Sequence, residues 1–405
     1  MKKTLLTLIS SLLIAMFALS ACAPAATPTP AAGGTTSSSA APVTLTIWHG
    51  YHTGGSEEAA LTALVAKYQT AHPNVKVTVL AIPFDQLFNK YETEAAAGGG
   101  PDMFTAPNDN LGNEVRANVV APIDDLVKGK LDGYTKAGIN GVTVDGKMYA
   151  VPGIAKAVAL YYNKSTIPTP PATTADLMAL LKSGKKLVLN ESAYHNFGFT
   201  GAFGGTLMDS TGKCVADQGG FADAFQYLVD LKAAGAIFET DGGKADTEFR
   251  QGQADMIVNG PWVLGDYKKD LGDKLGVVPM PAGPKGPANP IAGIDGWYIN
   301  PSSKNKAAAV DLGLYIFGKD GLAAYADTVT GPGDPPARSD VTMADPLVKA
   351  FADAASSGFP RPQSAEFGNF WGPFGDAVTA SVEGQAKPVD AVATACQKMN
   401  QANKK

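Results

Sequence analysis

Val43 to Trp48 (VTLTIW) alternates β-forming side chains, a period-2 pattern that predicts a first strand. After a Gly-containing loop the period changes. Leu61, Leu64, Val65 and Tyr68 recur at helical spacing within Glu57 to Thr70. Ser56 stands where an N-cap would sit, and Glu57 and Glu58 suit the positive end of the helix dipole. Val75 to Ile82 reads as a second strand. Phe84 to Ala97 reads as a second helix stopped by Gly98-Gly99-Gly100, and a third strand begins at Pro101 to Phe104. This β-α-β-α-β order implies a parallel sheet with helices on its faces. The alternation then recurs with different residues. Strands are predicted at Gly146–Val151, Ala157–Tyr162, Lys186–Asn190 and Trp297–Asn300. Helices are predicted at Thr174–Ser183 and Gly220–Ala234, the latter with Phe221, Ala224, Phe225, Leu228 and Leu231 on one face, and helices dominate after Ala307. Met280 to Pro290, dense in Pro and Gly, reads as a crossing between two α/β lobes. Several such crossings would leave a cleft suited to a small ligand.

The first 42 residues carry no such pattern. Lys2 and Lys3 precede an uncharged apolar run from Leu5 to Leu19 and the small residues Ser20 and Ala21, the order of a secretory signal peptide. The run falls short of the roughly 20 residues of a membrane span. Leu19-Ser20-Ala21-Cys22 resembles a bacterial lipobox, which implies cleavage after residue 21 and acylation of Cys22; a plain cleaved signal or an uncleaved anchor are the alternatives. Residues 23–42 contain only Ala, Pro, Thr, Ser and Gly, so nothing there favours burial and a disordered, partly extended tether is expected.

About 360 residues follow, more than one core usually serves, so two domains are expected. With 45% hydrophobic and 18% charged residues and a net charge of −5, the composition is that of a globular body. No basic block suggests nucleic acid. Three cysteines are too few for a disulfide scaffold. With Cys22 acylated, Cys214 and Cys396 could pair in an oxidising exterior, but their separation leaves the pairing open.

Six blocks in order resemble the extracellular solute-binding proteins of ABC importers, in their maltose/maltodextrin-binding branch. They are TLTIWHG at residues 44–50, Gly100-Pro101-Asp102-Met103-Phe104, and Gly146 to Pro152 (GKMYAVP). Then come Leu160 to Lys164 (LYYNK) with the Pro-rich turn at 168–172, Phe249 to Met256 followed by Asn259-Gly260-Pro261-Trp262, and Ala365 to Val378. The resemblance spans about Leu45 to Met399. It implies an α/β, two-lobed periplasmic-binding-protein fold of the type II, hinge-bending kind, with the ligand cleft between lobes. It implies lobes of 43–152 plus about 288–334, and 153–287 plus about 335–405. It also implies a monomer, without cofactor or catalysis, that hands an oligosaccharide to permease subunits at the outer face of the cytoplasmic membrane or in the periplasm.

By the same resemblance, Trp262 and Trp371 are stacking tryptophans of the C-terminal lobe, and Tyr194, His195 and Phe197 occupy a loop with a further stacking aromatic. Asp109 is a carboxylate for sugar hydroxyls, flanked by Asn108 and Asn110, while Trp48, His49, Tyr51 and His52 lie at the first ligand loop. The chemistry is consistent: a sugar offers flat C–H faces to aromatic rings and a fringe of hydroxyls to paired donors and acceptors. Each residue also has a packing reading. Trp48 could be core or cleft wall, and Trp297, within a strand, is expected in the core. His49 and His52 have H-x-x-H spacing but no third ligand at metal-site spacing, so no metal is expected. Tyr161 and Tyr162, adjacent on a strand, must face opposite ways.

The sequence departs from the branch in three places. Lys156 stands where an acidic residue is expected, Tyr51-His52-Thr53 replaces an Asp-Lys pair, and Asn110 replaces an Arg beside Asp109. Maltodextrins remain the expected ligand, since the overall pattern and the aromatics persist, with trehalose or xylo-oligosaccharides as the alternative. A polyamine would want several carboxylates among the aromatics, and only Asp109 stands out. A glycosidase would need two facing carboxyls; nothing pairs Asp109 with Glu366.

Overall fold

The structure, a computed structural model, describes residues 41–405. The signal segment and Cys22 lie outside the described residues. Strands β1 (Val43–His49), β2 (Val75–Ala81) and β3 (Met103–Pro107) alternate with helices α1 (Ser56–Ala71) and α2 (Phe84–Ala96), and β1 pairs in parallel with both β2 and β3. Helix α1 begins one residue earlier than its sequence suggests. Gly55 occupies the N-cap, and Ser56, expected there, is the first helical residue and caps nothing. A short α3 (Leu111–Arg116) follows β3.

The predicted strand at Gly146–Val151 is interrupted at Tyr149, and its continuation is β4 (Ala150–Lys156). The chain then passes to β5 (Ala159–Asn163), α4 (Thr174–Lys182) and β6 (Leu187–Asn190). Tyr194, His195 and Phe197, expected in a loop, lie on helix α5 (Ala193–Ala202). Ser192 caps it through a hydroxyl that accepts from the His195 N–H. Helix α6 (Phe221–Ala233) buries all five residues of its predicted face. Strands β7 (Ile237–Glu239), β8 (Met256–Asn259), β9 (Leu275–Val278), β10 (Ile291–Ile299) and β11 (Phe359–Pro360), with helices α7 (Trp371–Val382) and α8 (Pro388–Asn403), complete the elements used below.

Two sheets organise the two lobes. The first runs β11-β10-β3-β1-β2, with β4 also paired to β10; the second runs β9-β5-β8-β6-β7. Leu45, Ile47, Leu61, Val65, Phe104 and Trp297 belong to the first lobe's core. The second sheet is covered on both faces, and the period of 2 sorts its side chains. Val158 and Leu160 face one core with Phe221 and Phe374. Ala159 and Tyr161 face the other, with Phe249, Tyr267 and Phe351.

The lobes meet where few residues cross. Strand β4 ends at Lys156 and β5 begins three residues later. Strand β10 starts with Ile291 in a second-lobe core and reaches the first-lobe core at Ile294. At that crossing the β4–β10 register slips: Asp295 pairs with Ile154 but Gly296 with Pro152, leaving Gly153 as the extra residue. A β-bulge re-aims neighbouring side chains, and here Asp295 is turned onto Lys156.

Cys214 and Cys396 form a disulfide across 182 residues, resolving the open pairing. Cys396 lies on α8, so the bond pins the C-terminal helix to the second lobe. Replacing Cys396 by Ser is expected to lower unfolding stability by about 2–4 kcal/mol, since the loop released is long. An unchanged urea midpoint would contradict this.

Candidate functional site

The motif Asn259-Gly260-Pro261-Trp262 is built around one ring. Asn259 donates from Nδ2 to Asp246 (2.7 Å) and accepts the Gly260 N–H on its Oδ1 (2.8 Å), while the Tyr161 hydroxyl donates to the Gly260 carbonyl (2.7 Å). The fixed turn lets the Trp262 indole fold back over Gly260, where any Cβ would run into the ring. Pro261 then opens a short 3-10 turn that carries Trp262 out of β8.

Three second-lobe aromatics line up from this point. The Tyr194 ring lies 6.1 Å from Trp262 and 6.4 Å from Trp371. Trp371, at the start of α7, packs edgewise on Phe367 and Phe370 at 5.2 and 5.1 Å. Each end of this band carries a buried cation. The Lys156 ammonium is 5.7 Å from the Trp262 ring and 5.6 Å from Tyr51 of the first lobe. The Arg361 guanidinium is 5.5 Å from both Tyr194 and Trp371.

Both cations are paired with first-lobe carboxylates. Arg361 forms an ion pair with Asp109 and donates to the Asn108 amide oxygen at 3.2 Å. Burial pushes the Asp109 carboxyl up, and Arg361 pulls it back toward ionisation. Lys156 donates to Glu57 at 2.6 Å and forms an ion pair with Asp295 at 2.9 Å. Burial lowers its hold on the proton, but Asp295, Glu57 and Asp334 outweigh that and keep it charged. Tyr194 is within electrostatic reach of both pairs, and burial pushes its hydroxyl up to about 12. The result is a band of rings facing two polar clusters, an arrangement that can stack flat apolar faces and pair hydroxyls along one edge.

The expected residues divide accordingly. Trp262, Trp371, Tyr194, Asp109 and Tyr51 gather at this cleft, with His195 beside them, edge-on to Trp262 at 6.0 Å. Phe197 does not join them: it is buried among Phe221, Phe359 and Phe370. Three residues apart on α5, Tyr194 meets Trp262 and Trp371 while Phe197 meets only the core rings. Trp48 packs within the first-lobe core with the Lys90 ammonium 5.1 Å from its ring. His49 is buried too; its Nδ1 accepts the Tyr51 N–H and burial lowers its pKa. Asn108 is committed to structure, donating to the Gly141 carbonyl and accepting the Ile294 N–H. Asn110 supplies the backbone N-cap of α3 without a side-chain cap bond. Among the described residues no group of three or more His, Cys, Asp or Glu is arranged to hold a metal.

Four residues the sequence did not mark belong here: Arg361, Glu57, Asp295 and Asp334. The cation expected beside Asp109 is supplied by Arg361, 252 positions away. Lys156, which sequence marked only as a departure, is complemented by Glu57 of α1, Asp295 of β10 and Asp334.

A model of the bacterial extracellular solute-binding protein family matches residues 63–355. The chain belongs to that family. This solute-binding protein is 26% identical to the maltotriose-binding protein of Pyrococcus abyssi over 80% of its own length and 74% of the relative's. It is 24% identical to the galactooligosaccharide-binding protein of Bacillus subtilis, over 82% and 84%. Its fold matches the Thermus thermophilus maltotriose-binding protein, solved with maltotriose, with a TM-score of 0.80, 29% identity, and coverage of 88% of this chain and 99% of that one. Among the described residues, no helix of the solute-binding protein is long and apolar enough to cross a membrane.

His195 gives this cleft a pH signature. Its Nδ1 meets the Ser192 hydroxyl at 2.8 Å, and burial lowers its pKa to about 4. An unfolded histidine titrates near 6.5, so between those values the unfolded chain binds the extra proton and stability falls as pH falls. Replacing His195 by Gln removes this proton uptake. The stability advantage of the wild type over the variant should shrink from pH 7 to pH 4.5 in paired thermal melts; a constant difference would contradict a neutral buried His195.

Proposed function

We propose that this chain is the lipid-anchored receptor of an ABC importer and binds malto-oligosaccharides as a monomer between its lobes. The observation that carries the reading is the band Trp262–Tyr194–Trp371, flanked by Lys156 and Arg361 with their first-lobe carboxylates. Stacked rings take the C–H faces of successive sugars, and the charged clusters take their hydroxyls. The maltotriose-binding relatives from Pyrococcus abyssi and Thermus thermophilus support this ligand class. Lobes of 43–152 plus about 288–334 and 153–287 plus about 335–405 would close by bending at the crossings near Lys156 and Asp295. Acylation at Cys22 would keep the receptor close to its permease and raise its local concentration there. No chemistry is assigned to the cleft.

The Bacillus subtilis relative named for galactooligosaccharides supports a second reading of the ligand. Titration calorimetry of residues 41–405 against maltose, maltotriose, longer maltodextrins, galactooligosaccharide, trehalose and xylo-oligosaccharide separates the two. Micromolar or tighter binding is expected for an α-glucan. Tighter binding of galactooligosaccharide would favour the second reading, and no heat with any sugar would exclude both. Release of glucose from maltotriose on long incubation would refute a binding-only role. Metabolic labelling with a radioactive fatty acid should mark the full chain and fail with Cys22→Ser.

A further inference from the structure

The Lys156 cluster contains more hydrogen-bonding capacity than it uses. An ammonium carries three N–H donors. One of Lys156's meets Glu57 at 2.6 Å, and Asp295 stands in ion-pair contact at 2.9 Å without adding a hydrogen bond, so donor capacity is left over. Asp295 faces Lys156 through Oδ2. Its Oδ1 has no partner although the residue is 1% exposed. Buried carboxylate oxygens are not normally left empty, and this one sits on a bulge that brings it to the crossing between lobes.

The position of these two atoms is specific. Lys156 Nζ is 5.7 Å from the Trp262 ring, which puts the spare donor beside one end of the aromatic band, and Asp295 is its ion-pair neighbour. Tyr194, the middle ring, is within electrostatic reach of Lys156 and Asp295 together. A donor and an acceptor held side by side next to an aromatic face match two adjacent hydroxyls on the rim of a pyranose stacked on that face. Glu57 and Asp334 act on the ammonium itself. Both favour its charged form, and Glu57 positions it through a hydrogen bond.

We propose that Lys156 and Asp295 form a polar subsite that reads one adjacent pair of hydroxyls on the sugar stacked against Trp262. Lys156 donates to one hydroxyl and Asp295 Oδ1 accepts from the next. This rests on the reading of the cleft as an oligosaccharide site and names which residues select the sugar there. It also gives the departure at position 156 a role: the expected acid is replaced by a cation, and the acceptor is supplied from β10 by Asp295.

Monodeoxy maltotrioses test this without depending on a destabilising change. The unsubstituted protein should bind the analogue lacking the hydroxyl read by Asp295 about tenfold more weakly than maltotriose, the order expected for a lost hydrogen bond to a charged group. In Asp295→Asn, which keeps the shape of the side chain, that analogue and maltotriose should bind within about twofold of each other, while penalties for the other analogues persist. Lys156→Met should erase the penalty for the neighbouring hydroxyl instead. If Asp295→Asn changes the affinity for every analogue and for maltotriose by one common factor, or changes none, the subsite is wrong while the oligosaccharide site stands. If the unsubstituted protein binds no maltotriose, the cleft reading falls and the subsite with it.

Discussion

Arg361→Met is expected to destabilise the protein by about 3–5 kcal/mol, the range for removing one partner of a buried ion pair. Asp109 would be left with its charge in a site where burial already pushes its carboxyl up and the Asp295 charge adds to the push. Asn108 would also lose a donor to its amide oxygen. The sign of the pH dependence follows. With Arg361 gone, the folded-state pKa of Asp109 rises further above its unfolded value near 3.9. The folded chain then binds the extra proton between those values, so the penalty grows as pH rises and shrinks on acidification. Urea unfolding at pH 7 and pH 5 should reveal the larger loss at pH 7. Adding Asp109→Asn to Arg361→Met should restore part of the stability, because the orphaned charge is removed along with its partner. Equal loss at both pH values would mean that Asp109 is not the group left exposed to the change.

Trp262→Ala and Trp371→Ala should each weaken maltotriose binding by about 1–3 kcal/mol, the scale of a lost aromatic anchor. The two rings stand at opposite ends of the band with Tyr194 between them, so a double variant should lose close to the sum. Each also meets a buried cation, Lys156 at one end and Arg361 at the other. Part of each loss is therefore displacement of that cation, which would move with ionic strength less than a surface contact does. Phe197→Ala is the informative contrast. That ring fills the second-lobe core, so the change should cost about 3–5 kcal/mol of stability while affinity in the folded fraction changes little. A Phe197 variant that folds well but binds poorly would return that residue to the cleft.

Much of the fold could be read from periodicity. The parallel β1–β2–β3 start, the buried face of α6 and the core position of Trp297 all follow from patterns local in sequence. The resemblance singled out Trp262 and Trp371, and the structure shows their surrounding motifs holding the two rings by local hydrogen bonds and ring packing. Helix α5 was hidden because Gly198 and Gly201 lower helix propensity. Tertiary contact overrides that, since Gly198 lies against Met280 and Gly201 against Asn289, where larger residues would clash. The charged groups were the least legible. Lys156 meets Glu57, Asp295 and Asp334, and Asp109 meets Arg361, through contacts between crossings of the chain that no spacing rule records. Sequence identified the missing acid near position 156 and the missing cation beside Asp109; only the fold supplies their replacements.

The central claim, that maltotriose lies along Trp262, Tyr194 and Trp371 between the lobes, is tested most directly by a crystal structure of residues 41–405 grown with maltotriose. Density for glucose rings against the Trp262 and Trp371 indoles, with hydroxyls within hydrogen-bond distance of the Asp109–Arg361 and Lys156–Asp295 pairs, is the predicted result. A sugar bound elsewhere, or an empty cleft in crystals saturated with a ligand that calorimetry reports as bound, would contradict it.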